Sequence, residues 1–92
     1  MEQIKKITQL GKMKKGQSGK IFSVHPGNSG DLLAKDKARR LMELGLIEGE
    51  KVEIVHEAPI WSDPLAVRVR GSMIALRRSE ADFVQVVEEE LA

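Results

Sequence analysis

The stretch Ala38-Arg39-Arg40-Leu41-Met42-Glu43-Leu44-Gly45-Leu46, followed by Gly49-Glu50 and Val52-Glu53-Ile54-Val55, decides the fold. It reads as a helix stopped by a glycine, a tight turn, and a strand that starts at once. Ala34, Ala38, Leu41 and Met42 fall at i, i+4, i+7 and i+8, the spacing of one helical face. Leu33 and Leu44 are expected to widen that face, while Lys35, Lys37, Arg39, Arg40 and Glu43 occupy most of the other side. Asp31 is placed to cap the N-terminus with its side-chain oxygen. Gly45 stands where a left-handed residue closes a helix, and Leu46 can then fold back on Leu41. A helix over about residues 31–44 is therefore expected.

The strands lie on either side of this helix. Residues 1–10 are polar, with Ile4, Ile7 and Leu10 three apart, which suggests a short helical turn or a loose lead-in. Lys15-Gly16-Gln17 is a turn, and Ser18 to Val24 a first strand with Ile21 inward and Phe22 on the other face. His25-Pro26-Gly27-Asn28-Ser29-Gly30 is a loop. Lys51 to Glu57 alternates with a period of two. Ala58 to Pro64 is a loop with Trp61 near its tip. Leu65, Val67 and Val69 face inward along the next strand, Gly71-Ser72 forms a hairpin hinge, and Met73 to Arg78 pairs back. A helical turn over residues 79–82 and a closing strand from Phe83 to Val87 complete the chain. The pattern predicts a mainly β fold, a small SH3-like barrel of about five strands with one inserted α-helix. Glu53 and Glu57 are expected to pair across strands with Arg68 and Arg70.

Ninety-two residues make one domain, residues 1–92. A chain of this length buries about 60–65% of its unfolded surface, which leaves little volume for a deep catalytic cavity. The formal net charge is +1, with 32% charged residues, a balance that argues against a dedicated nucleic-acid binder. The charge is unevenly spread. Lys5, Lys6, Lys12, Lys14, Lys15 and Lys20 load the start, and Glu80, Asp82, Glu88, Glu89 and Glu90 load the end. Either the termini neighbour one another or the basic end faces a partner. The chain contains no cysteine, so no disulfide or thiolate metal site can form. No apolar run approaches the ~20 residues of a membrane span, and the first residues lack a signal-peptide core. These features lead us to expect a soluble cytoplasmic protein, without direct membrane insertion.

No catalytic constellation is legible. His25 and His56 are distant in sequence, Ser62, Ser72 and Ser79 lack an evident base, and no enzyme is expected. No cofactor motif is present either: Gly27-Asn28-Ser29-Gly30-Asp31 lacks the lysine and hydroxyl ending of a phosphate-binding loop. His25, His56, Glu57 and Asp63 could converge from loops as metal ligands, although their spacing matches no zinc or calcium motif. The doublets Arg39-Arg40 and Arg77-Arg78 could contact RNA, but one Trp and two Phe residues give few stacking platforms. Trp61, in a proline-bounded loop, is either an interface anchor or a lid over the core.

The segment Ala38 to Leu46, with Gly49, Val52 to Val55, Ala58-Pro59, Asp63-Pro64, Val69-Arg70-Gly71 and Ala75-Leu76-Arg77-Arg78-Ser79-Glu80-Ala81, resembles the FeoA family. Leu10, Met13, Gly16, Gln17 and Ile21 resemble its opening strand, so the likeness spans roughly residues 8–86. The resemblance implies an SH3-like barrel without catalysis, an accessory or regulatory protein of bacterial ferrous iron uptake. The implied partner is a membrane ferrous iron permease with a cytoplasmic GTP-hydrolysing domain. Trp61, Arg39 and Arg40 are the candidate contacts. The chain departs from the family at Ile60-Trp61-Ser62, where a glycine often precedes the residue matching Asp63. A nucleic-acid-binding or metal-sensing regulatory barrel is the alternative, and a homo-oligomer stays open.

Overall fold

The computed structural model describes residues 6–25 and 32–89. The expected Asp31 cap, most of the loop after His25, and Glu90 lie outside the described residues. In chain order the elements are β1 (Ile7–Gln9), a 3-10 turn (Leu10–Lys12), β2 (Ser18–Val24), α1 (Leu32–Glu43), β3 (Lys51–Glu57), β4 (Leu65–Val69), β5 (Ser72–Leu76), α2 (Arg78–Ala81) and β6 (Val84–Glu88). The strands form one six-stranded antiparallel sheet in the order β1-β6-β2-β3-β4-β5. The fold is mainly β, as expected, with one long helix inserted between β2 and β3.

The sheet is bent around a single core. Leu10, just after the edge strand β1, and Leu76, at the end of the opposite edge strand β5, belong to one buried cluster with Ile21, Val52, Ile54, Leu65, Val67, Val69, Val84 and Val86. Irregularities between Ile21 and Ser23 in β2 and between Ile54 and His56 in β3 break the pairing register and help the strands turn. Alternation is clean on β4, where Leu65, Val67 and Val69 are buried and Arg68 is exposed. Ile21 is buried and Phe22 exposed, as the period of two requires.

The helix ends as its sequence dictates. The Leu46 N–H donates to the Leu41 carbonyl at 3.1 Å and the Gly45 N–H to the Met42 carbonyl at 3.0 Å, the paired bonds of a Schellman ending. Gly45 has φ of 110°, and both Leu41 and Leu46 are buried. Only part of the predicted apolar face is used, however. Ala38 and Leu41 are buried, whereas Leu33 and Leu44 stay 60% and 46% exposed. They lie on a flank shared with Lys37 and Arg40, rotated away from the sheet.

Three further expectations need correction. The lead-in forms a sixth strand and a 3-10 turn, where a short helical turn or a loose lead-in was expected: Ile7, Thr8 and Gln9 pair with Val87, Val86 and Gln85. Three residues are too few to display a period of two, so β6 supplies the order that local sequence lacks. The β4–β5 turn sits one residue earlier than Gly71-Ser72. Val69 pairs with Ser72, leaving Arg70 and Gly71 as the two central residues, with φ of 54° and 81°. Positive φ at both positions is the primed hairpin geometry that suits the twist of the strands. The charge pairs are also redistributed. Arg68 meets Glu53 at 3.7 Å as expected, but Arg70 meets Glu50 at 3.9 Å, and Glu57 is taken by Arg78.

Candidate protein-interaction site

The loop between β3 and β4 runs from Ala58 to Pro64 and is closed at its neck by the Ala58 N–H bonding to the Pro64 carbonyl at 3.2 Å. At its tip Ile60 and Trp61 are exposed, Trp61 by 89%. Trp61 therefore does not cover the core. Trp61 and Ser62 both hold left-handed backbone, with φ of 67° and 52°. Neither residue prefers that region, so the surrounding structure must hold them there.

Arg78 provides much of that support. Its Nε donates to the Ser62 carbonyl at 2.7 Å, and its Nη1 donates to the carbonyls of Gly11 and Met13, each at 2.9 Å. Its Nη2 meets the Glu57 carboxylate, and its backbone N–H donates to Asp63 Oδ1 at 3.0 Å. A guanidinium has five N–H donors in a rigid planar fork, and four of them are engaged here. One side chain thus ties the 3-10 turn, the end of β3 and the Trp61 loop to the start of α2. The position of Arg78 follows from α2, which starts where Glu80 Oε1 accepts from the Arg77 N–H at 3.1 Å. A carboxylate three residues after the first residue outside a helix is a familiar starting signal.

The candidate metal ligands do not gather. Glu57 and Asp63 are both bound by Arg78, Glu57 by its guanidinium and Asp63 by its backbone N–H, so neither carboxylate is left free for a metal ion. His56 is exposed on β3 and alternates away from Glu57. His25 directly follows β2, with its N–H bonded to the Phe83 carbonyl at 3.1 Å. Among the described residues no three His, Asp or Glu side chains are placed to hold a metal ion together. The basic candidates are separate from the loop as well. Arg39 and Arg40 are exposed on α1, which packs chiefly on β2, and Arg39 pairs with Asp36 at 3.1 Å. No hydrogen bond or ion pair joins them to the Trp61 loop.

In the sequence Arg78 reads only as half of a basic doublet, without the role it holds in the fold. A weak signal existed: Arg78 follows the last inward residue of β5, Leu76, by two positions, so alternation turns it towards the inner side. The close approach of Gly11 to α2 is likewise not legible in the sequence. A Cβ on Gly11 would collide with Asp82 Oδ1 and the Arg78 carbonyl oxygen, and Lys12 Nζ lies 3.4 Å from Asp82 Oδ2.

Residues 8–88 match the FeoA domain family. Among solved structures, the chain is similar to FeoA of Stenotrophomonas maltophilia, crystallised with zinc. The identity is 35%, the TM-score 0.73, and the match covers 92% of this chain and 99% of that one. That protein is described as a prokaryotic SH3 domain protein put forward as a ferrous iron transport activating factor. A FeoA-like protein of Clostridium acetobutylicum matches at 27% identity and a TM-score of 0.73, covering 97% of this chain and 92% of that one. A manganese-dependent transcriptional repressor shares the fold at 13% identity and a TM-score of 0.74, over 95% of this chain and 44% of that one. No curated protein matches the chain.

Proposed function

The chain belongs to the FeoA family, and from that premise we propose that it is an accessory factor of ferrous iron uptake that binds the cytoplasmic part of a membrane ferrous iron permease. It acts by binding, at a surface. The observation that carries this reading is the Ile60-Trp61 tip: two large apolar side chains on a loop that Arg78 fixes from beneath. A large exposed aromatic offers apolar area to bury in a partner's pocket, and a loop backbone already held in place lowers the ordering cost of docking. The S. maltophilia protein, similar over nearly its whole length, supports the transport context. No helix among the described residues is long and apolar enough to cross a membrane. The nucleic-acid alternative is weakened because the Arg78 guanidinium is committed to internal carbonyls and Glu57.

The test is a binding titration against the permease's soluble GTP-hydrolysing domain, paired with ferrous uptake in cells lacking this protein. Saturable binding and reduced uptake are expected. Absence of binding at high micromolar concentration together with normal uptake would reject the proposal.

A further inference from the structure

The sheet leaves β5 as an edge, and the pairing register fixes what that edge presents. Val69 and Ser72 flank a two-residue turn, so they form a hydrogen-bonded pair, and Val67–Ile74 and Leu65–Leu76 are the next such pairs. The backbone groups of Ser72, Ile74 and Leu76 therefore point to β4. Those of Met73 and Ala75 point the other way, off the sheet. Neither residue has another bonding partner among the described residues. Met73 is 53% exposed, and Ser72 and Ala75 are exposed beside it. The strand Ser72-Met73-Ile74-Ala75-Leu76 contains no proline, no lysine and no bulge, the usual devices that blunt an edge.

The geometry points to a strand-addition site on β5 that takes an extended segment carrying acidic side chains. Four outward backbone groups, an N–H and a C=O on each of Met73 and Ala75, supply the hydrogen bonds of the added strand. The charges around the edge select its sign. Arg68 lies across from Met73 on the same sheet face, Arg70 sits in the turn, and Arg77 follows the strand. Arg68 and Arg70 hold Glu53 and Glu50 only at 3.7 and 3.9 Å and are largely exposed, so both can turn to a new carboxylate. Arg77 forms no ion pair among the described residues. A second copy of this chain fits less well. Antiparallel pairing through Met73 and Ala75 centres on Ile74 facing its copy and sets each Arg77 against the other copy's Arg70-Gly71 turn, like charge on like charge. This site is separate from the Ile60-Trp61 loop and does not depend on the transport reading.

The experiment is NMR titration of the full chain with a capped seven-residue peptide alternating valine and glutamate, and with its lysine counterpart. Expected are shifts centred on β5, slowed exchange of the Met73 and Ala75 amides, and binding at least about tenfold tighter for the glutamate peptide at low salt. Ala75→Pro removes one outward N–H while sparing the bonds to β4, and should abolish binding. Arg77→Glu, an exposed change, keeps the edge intact and should reverse the preference between the two peptides. Unchanged Met73 and Ala75 amides at millimolar glutamate peptide would overturn the proposal, as would equal binding of both peptides. So would amides already protected without peptide in a sample that sediments as a dimer, since a second copy would then own the edge.

Discussion

Arg78 Nε donates to the carbonyl oxygen of Ser62 at 2.7 Å, and this bond anchors the left-handed segment Trp61-Ser62 to the start of α2. The same guanidinium satisfies the carbonyls of Gly11 and Met13 and neutralises Glu57, with only 22% of the Arg78 side chain exposed. Removing it leaves a half-buried carboxylate and three carbonyls without their donor. Arg78→Ala is therefore expected to lower stability by about 3–5 kcal/mol. Arg78→Lys keeps the charge but not the fork, and should recover less than half of that loss. Urea denaturation of the two variants checks both values. A loss below about 1 kcal/mol for Arg78→Ala would mean that solvent replaces these bonds.

Gly11 is needed for space. The 3-10 turn lies against α2 so closely that any Cβ at Gly11 meets Asp82 Oδ1 and the Arg78 carbonyl oxygen. The second of these is backbone and cannot rotate away. Gly11→Ala should destabilise by about 2–3 kcal/mol, the cost of overpacking a tight contact. It should also disturb the Lys12–Asp82 pair. Thermal unfolding of Gly11→Ala and of the double variant Gly11→Ala, Asp82→Ala separates the two collisions. If the Asp82 side chain were the main obstacle, the second change would restore most of the loss.

Much of this fold is legible because its strongest signals are local. Lys51 to Glu57 alternates over a full strand, and Leu41, Gly45 and Leu46 encode a helix ending within six residues; both form as expected. Three features were not legible, each for a physical reason. β1 is too short to show a period and is ordered by β6. The β4–β5 turn was displaced by one residue because Gly71 suits either central position, and register alone places Arg70 at positive φ. Arg78 reaches the carbonyls of Gly11 and Met13, more than sixty residues away. Carbonyls are present at every residue, so no residue type marks them as acceptors. At the candidate site, the loop and its aromatic tip were visible in sequence, while whether Trp61 turned inward or outward was not.

Gly45 is needed for conformation. A Cβ there would find its nearest neighbours at 3.9 Å and 4.0 Å, the side chains of Val69 and Arg70, so space is sufficient. Its φ of 110° is the obstacle, since side-chain-bearing residues avoid that region. Gly45→Ala should lose about 1–2 kcal/mol, and Gly45→Asn less, because asparagine tolerates the left-handed region better. Alanine and asparagine costing the same would indicate that the chain relaxes to another ending, which loss of the Leu46 amide's exchange protection would reveal.

Trp61 is the chain's single tryptophan, so its fluorescence reports on the loop tip alone. With Trp61 89% exposed, emission from the free protein should resemble that of tryptophan in water and be readily quenched by iodide. Docking a partner over the tip should shift emission to the blue and shield it from quencher. Trp61→Ala removes no internal contact of consequence, so stability should stay within about 0.5 kcal/mol of the parent. Its binding to the permease's soluble domain should fall by at least tenfold, the loss of about 1.4 kcal/mol or more that marks an anchor residue. Arg40→Ala, on exposed α1, provides the comparison. An equal loss from both variants would place the contact surface across the helix and the loop together, whereas a loss confined to Arg40→Ala would move it off the loop. Unchanged emission on saturation with the soluble domain would give the second result without mutagenesis, since a buried indole cannot keep its water-like spectrum.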